Sequence, residues 1–404
     1  MRMRIAHLCL ANFYIDGFGY QENILTKLHH QMGHEVVIIA STQTYIDHTR
    51  LGYVEPSSYL NEHGIPVHRL PYASWVPRRL QSKVRAYKGL EARLEEFQPD
   101  LIFVHDVQFW DLLAIRRYVR RRPTPVFADC HADYVNSARG FVSRHLLHGL
   151  FYRQILQHVD PIIDRYLPTL PARADFLHEV YGLAREKMEL LPFGADDTLT
   201  TGLDRVAGRD AVRASLGIPD DAVVLVTGGK LDLRKNIHTL IERFSALRAA
   251  GQLAGMHLLV FGQPDPAVQT ALAAVNIHPD VHLLGWMQAK DIYTMFLAAD
   301  LAIFPGTHSV LWEEAIGHGL GVVAHHWPGV HHLDLGGNIK FIHDASPPAL
   351  DALLRELWQD EAALIRTMTG MAAEKGPRTF SFSAIAAQAI RIGPAARPPL
   401  SEGR

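Results

Sequence analysis

The sequence predicts an α/β protein of two domains, each a parallel sheet flanked by helices. Three observations carry this. Short β-branched runs alternate with helical patterns along the whole chain. At 404 residues the chain exceeds one ordinary core. Two distal loops, Gly228–Asn236 and Pro305–Gly319, place cations or bare backbone at the carboxyl ends of predicted strands. Ligands bind there in open α/β sheets.

The elements follow in order. In the first half the strands read Ile5–Ala11, Glu35–Ser41, Leu101–Asp106 and Pro125–His131. Between the first two, Ile24, Leu25, Leu28 and Met32 recur at helical spacing, and Gly33 is placed as the helix C-cap. The linker is expected near Pro192–Thr201, where Pro-Phe-Gly and a polar run follow a strand. A helix over Arg205–Leu216 then reopens the alternation. Helices are expected over Asn236–Ala249, Ala267–Val275, Ala289–Ala298 and Glu313–His318, separated by strands. The tail predicts a helix over Pro348–Trp358, a last helix over Ser383–Ile392, and a Pro-rich, disordered end.

An apolar fraction of 48% and a charged fraction of 20% are those of a soluble globular protein. Two cysteines, Cys9 and Cys130, cannot build a disulfide framework and fit a reducing compartment, so a cytoplasmic location is expected. The apolar run after the basic start is read as a first strand rather than a leader. No run reaches the roughly 18–20 residues of a membrane span. A net charge of −2 argues against general nucleic-acid binding. Basic residues nevertheless cluster at Arg78–Arg93 and Arg116–Arg122. These are either solvated helix faces or a surface for anionic lipid or an acidic acceptor.

Lys230 and Lys235 flank a loop that leaves a strand and opens a helix, and Gly228 and Gly229 let backbone approach a ligand. Two ammonium groups there would neutralise a diphosphate and stabilise charge on a leaving phosphate. The spacing is not that of a P-loop. Of Glu313 and Glu314, one should face outward and the other accept hydrogen bonds from a sugar diol. The turn Gly306–Ser309 offers backbone N–H groups as a phosphate nest. His105 and His131 end strands and are either substrate contacts or structural. The pairs His325–His326 and His331–His332 match no zinc spacing, and 24 histidines are scattered through the chain, so no metal site is expected. No hydrolase, zincin or kinase motif occurs. The loop Asp16–Tyr20 holds G-x-G without a third glycine, a weak dinucleotide signal.

In order along the chain, GHEVVIIAS, HAD at His131–Asp133, LLPFGAD, GGKLDLRKN, VHLLGWM and SVLWEEAIGHGLGVVA resemble the retaining glycosyltransferases of family 4. The resemblance implies the GT-B fold of two facing Rossmann-like domains. It places an acceptor-binding domain over 1–191, a donor domain over 202–375, and a C-terminal helix and flexible tail over 376–404, the helix able to cross back to the first domain. It gives Lys235, with Lys230 in place of the usual arginine, to the donor diphosphate, and His131 to the donor sugar. Gly19 belongs to its glycine-rich loop and Gly229 to the donor loop. Thr307, His308, Ser309, Val310 and Leu311 would line phosphate and sugar. Glu314 matches the second of a glutamate pair separated by seven residues and would bind the donor ribose, leaving Glu313 dispensable. Gly306 stands where the first glutamate is expected.

The implied reaction moves a sugar from a nucleotide diphosphate sugar to a sugar, lipid-linked or small-molecule acceptor, with anomeric configuration kept and neither metal nor cofactor. Two other readings stay open: a nucleotide-sugar epimerase or phosphorylase on the same fold, and a non-catalytic binding protein. The nucleotide, sugar and acceptor are not encoded in any one motif.

Overall fold

The computed structural model describes residues 2–46, 50–134, 137–138, 140–200, 202 and 204–391. Two compact units share the chain. One runs up to Pro192 and resumes at Ala386; the other is Phe193–Ile385. The Pro-rich end lies outside the described residues.

The N-terminal unit contains β1 (Arg4–Cys9), β2 (Glu35–Ser41), β3 (Gln43–Tyr45), β4 (Leu51–Tyr53), β5 (Ser57–Leu60), β6 (Pro66–Leu70), β7 (Leu101–His105), β8 (Val126–Cys130) and β9 (Arg165–Pro168). Seven of them form one sheet in the order β5-β6-β2-β1-β7-β8-β9, while β3 and β4 make a separate hairpin. Every pairing in the sheet is parallel except that of β5 with β6. The central strands are buried on both faces, as in LIFVH of β7. That burial explains their continuous apolar runs. Burying one such Val, Leu or Ile side chain contributes about 1.5–3 kcal/mol.

The C-terminal unit contains β10 (Val223–Gly228), β11 (Met256–Phe261), β12 (Val281–Gly285), β13 (Leu301–Phe304), β14 (Gly321–His325) and β15 (Ile339–Ile342). They form one parallel sheet in the order β12-β11-β10-β13-β14-β15. Chain order reverses beside β1 in the first sheet and beside β10 in the second. The loops leaving β1 and β7, and those leaving β10 and β13, therefore flank the two switch points where α/β sheets take ligands.

Several expectations are corrected. The first strand stops at Cys9, and Leu10 and Ala11 are buried without joining the ladder. The helix entered from Val310 begins at Leu311, not Glu313. The helix Ala363–Thr379, with Gly370, Gly376 and Pro377 inside it, was not expected. Gly376 is there for contact: a Cβ would come within 1.9 Å of the Ile316 carbonyl oxygen. The last helix is Phe382–Ala389, and from Ala386 the chain rejoins the N-terminal unit. There Gln388 Nε2 donates to Glu189 Oε1 and the Leu190 carbonyl, each at 3.0 Å. Among the described residues no helix is long and apolar enough to cross a membrane.

Candidate active site

In the C-terminal unit the loops after β10 and β13 are joined by hydrogen bonds. Asp232 caps the short turn Leu233–Lys235 by accepting from the Arg234 amide at 3.0 Å. This presents the Lys235 side chain to the second loop. Lys235 Nζ donates to the carbonyl oxygens of Thr307 at 2.8 Å and His308 at 2.7 Å. The Thr307 amide donates to the Arg234 carbonyl at 3.0 Å. Burial lowers the Lys235 pKa to about 8, aided by Arg234 and opposed by Asp232. Lys230 is exposed on the same loop.

Gly306 sits against this junction. A Cβ there would lie 2.3 Å from the Arg234 carbonyl oxygen and 2.4 Å from the Lys235 carbonyl carbon. No glutamate fits that backbone. The absent carboxylate and the close Lys235 contact are thus one feature. Gly228 is also explained by packing, since a Cβ would strike Phe261 at 2.5 Å. Gly229, at φ +106°, needs the left-handed freedom of glycine.

The turn from Thr307 to Val310 differs from expectation at its first amide. The Thr307 amide is already engaged, so it is not part of a phosphate nest. The amides of His308, Ser309 and Val310 have no protein partner among the described residues. Glu313 does not face outward. It is fully buried, with its oxygens 3.0 and 3.2 Å from His308 Nε2 and 3.4 Å from His332 Nε2. Burial opposes its charge, but the two histidines outweigh that and hold its pKa at about 2. Glu314 is half-buried. Burial, then the charges of Glu313 and Asp196, push its pKa up to about 8.

A cavity of about 390 Å³ adjoins Gly306 and Thr307, lined also by His325, His326, Trp327 and Ala345. His326 packs on His343 at 4.5 Å between ring centres. Among the described residues no three ligating side chains are grouped as a metal site would need.

In the N-terminal unit, Gly17 (φ +74°) donates its amide to Glu62 at 3.0 Å, and the position of a Cβ on Gly19 is open space. His131 follows β8 and is partly exposed. Its Nε2 lies 3.2 Å from Asp129 Oδ1. Burial opposes its protonation, yet the Asp129 carboxylate prevails and raises its pKa. His105 is fully buried against Asp129 at 2.6 Å and does not face a ligand. Asp129 was missed, although the period of two along a strand puts residues 129 and 131 on one face. Glu313 and His332 carried no such signal, because a turn and a long loop bring them together.

Fold and loops together define a two-domain GT-B protein. The chain belongs to the glycosyltransferases: residues 20–194 match the glycosyl transferase 4-like domain, and residues 208–330 match glycosyl transferases group 1. It is 26% identical over 161 residues to mannosylfructose-phosphate synthase of Agrobacterium fabrum, covering 38% of this chain and 35% of that one. It is 28% identical over 220 residues to D-inositol 3-phosphate glycosyltransferase 1 of Catenulispora acidiphila, covering 51% and 52%. The chain thus spans between about a third and about half the length of these relatives. Among solved structures, sucrose-phosphate synthase of Thermosynechococcus elongatus aligns with a TM-score of 0.66 at 18% identity, over 96% of this chain and 97% of that one. The Anabaena protein HepE in complex with UDP-glucose aligns with a TM-score of 0.64 at 16% identity, over 96% and 98%.

Proposed function

We propose that the chain is a retaining glycosyltransferase that moves a sugar from a nucleotide diphosphate sugar to an acceptor hydroxyl of a glycolipid, polysaccharide or natural product. The observation that carries this is the Lys235 junction at the β10–β13 switch point, beside the unpartnered amides of His308, Ser309 and Val310. Cations and amides there suit a diphosphate. In the reaction the acceptor oxygen bonds to the anomeric carbon as the bond from that carbon to the phosphate oxygen breaks. The acceptor proton passes to the leaving diphosphate on the same face. Lys235 and Lys230 offset the charge that builds there, Glu314 holds the ribose, and His131 and Gly19 belong to the sugar end. A relative named as a glycosyltransferase and a structural neighbour that holds UDP-glucose agree with this donor class.

A thermal-shift screen of UDP, GDP, ADP and their sugars tests it. At about 100 times its dissociation constant the right nucleotide adds about 2.7 kcal/mol of stability. Transfer with retained configuration, read by proton NMR of the product, is the expected outcome. Conversion of the nucleotide sugar without acceptor indicates an epimerase, and no turnover of any donor indicates a binding protein.

The basic surface changes shape in the structure. Arg78–Arg93 is not one helix but two, Arg78–Val84 and Leu90–Phe97. Arg85 breaks them at φ +52°, and Ala86 and Tyr87 are buried. Arg117 and Arg121 pair with Glu91, and Arg121 also with Glu95, so much of the second cluster is neutralised. Arg78, Arg79 and Lys83 remain without ion pairs among the described residues. Beside them the helix Ser143–Tyr152 reaches the Lys83 carbonyl through Tyr152, and Trp75, Leu80, Phe141, Val142, Leu146 and Leu150 are exposed. Cations with adjacent apolar side chains suit an anionic bilayer, at about 1 kcal/mol per cation. The protein is expected to co-sediment with phosphatidylglycerol vesicles at low salt and to be released as salt shortens the Debye length. Equal, negligible binding to phosphatidylglycerol and phosphatidylcholine vesicles would exclude membrane attachment.

A further inference from the structure

Three buried histidines form a hydrogen-bonded file through the N-terminal unit. His29, His7 and His105 are each fully buried and come from the helix Gln21–Gln31, β1 and β7. His29 Nε2 lies 2.9 Å from the carbonyl oxygen of Ala386, and His29 Nδ1 lies 3.0 Å from His7 Nε2. His7 Nδ1 lies 2.9 Å from His105 Nε2, and His105 Nδ1 lies 2.6 Å from Asp129 Oδ2.

Four hydrogen bonds need four protons. The carbonyl at one end can only accept, and a carboxylate at the other end can only accept. Three neutral imidazoles supply three protons. Either one ring carries both of its protons, or Asp129 holds the fourth. Asp129 also accepts from the Asp106 amide at 2.9 Å and lies 3.2 Å from His131 Nε2. Two hydrogen-bond donors, with the His131 ring close beside them, favour the ionised carboxylate. The extra proton then belongs to the file, and its positive charge balances Asp129. Burial depresses the pKa of His7, and that of His29 to about 3, which makes them the neutral rings.

We propose that His29, His7 and His105 are positioning residues that compensate the Asp129 carboxylate and so set how firmly His131 holds its proton. This rests on the reading of His131 as a donor contact. His131 then meets a compensated carboxylate, not a bare one, and its charge can respond to an incoming diphosphate. The other groups around the file are few. Glu22 and Asp106 have pKa values raised by burial, Arg173 opposes the charge on His131, and His34 opposes charge on His29.

The test is a titration of the full chain by NMR with ¹⁵N-labelled histidine, in wild type, His7→Gln and His7→Leu. In wild type, one buried ring keeps both protons at neutral pH. In His7→Gln the amide replaces both hydrogen bonds, and His131 titrates as in wild type. In His7→Leu the file is cut between β1 and β7, and the extra proton loses its second acceptor and leaves the file. Asp129 is then uncompensated, and His131 titrates about one pH unit or more higher. Three singly protonated file rings in wild type would overturn the proposal, as would an unmoved His131 titration in a folded His7→Leu protein. If His7→Leu does not fold, the wild-type spectrum and His7→Gln decide. None of these readouts depends on turnover, so they stand apart from the test of the transferase reading.

Discussion

Lys235→Ala lowers kcat/KM at least about a hundredfold while the fold persists. The ammonium lies where the β10 and β13 loops meet, 2.8 and 2.7 Å from the carbonyl oxygens of Thr307 and His308. Removing one charge contact made to a leaving diphosphate in the transition state costs about 3 kcal/mol. The fold should survive, because the two carbonyls are partly open to solvent and water can replace the amine. Lys235 therefore has two tasks, shaping the turn and meeting the diphosphate, where sequence alone suggested only the second. A pH profile separates charge from shape. Burial brings the Lys235 pKa down to about 8, so its cation is lost as pH rises past about 8. Activity should fall on that alkaline side, and Lys235→Arg should push the fall to higher pH. Near-normal turnover by a folded Lys235→Ala protein would remove the diphosphate role.

How much of this was legible follows from what each feature depends on. The strands Glu35–Ser41 and Val126–Cys130 announce themselves as short runs buried on both faces, and the helix Ala289–Ala298 by its helical spacing of buried residues. The short β9 and the docking of β6 on β2 do not, since those pairings join strands distant in sequence. The helix Ala363–Thr379 contains Gly370, Gly376 and Pro377, of which Gly376 serves a close contact with the Ile316 carbonyl. Resemblance and strand ends identified the loops around Lys235 and Thr307. They did not reveal why residue 306 is glycine, because the reason lies in the Arg234 and Lys235 backbone. The histidine file was invisible for the same cause: His7, His29 and His105 meet only once three separate elements have assembled.

The adjacent glutamates of the helix Leu311–Gly317 give the sharpest contrast. Glu313→Ala is expected to destabilise the C-terminal unit by about 3 kcal/mol or more, since it leaves His308 and His332 buried beside an empty site. Glu313→Gln should recover part of that loss by keeping one hydrogen bond. Glu313→Ala also frees His308, and with it the turn that carries the Ser309 and Val310 amides, so nucleotide binding falls together with stability. Glu314→Gln should instead leave the melting temperature near wild type and weaken nucleotide binding alone. Proton linkage separates the two further. With its pKa pushed up to about 8, Glu314 is protonated below that pH in the free protein. A ribose diol donates to the carboxylate form, so binding releases a proton below about pH 8, and affinity rises as pH climbs toward 8. Calorimetry in buffers of different ionisation enthalpy reads that release directly. Glu314→Gln abolishes it, whereas Glu313→Gln removes only one of the charges that raise Glu314 and leaves burial, the larger cause, so the release is reduced but persists. Proton release that persists in Glu314→Gln would move the ribose contact to another residue. The ranking itself follows from burial: the carboxylate already surrounded by partners holds the protein together, and the one held short of its charge is available to a ligand.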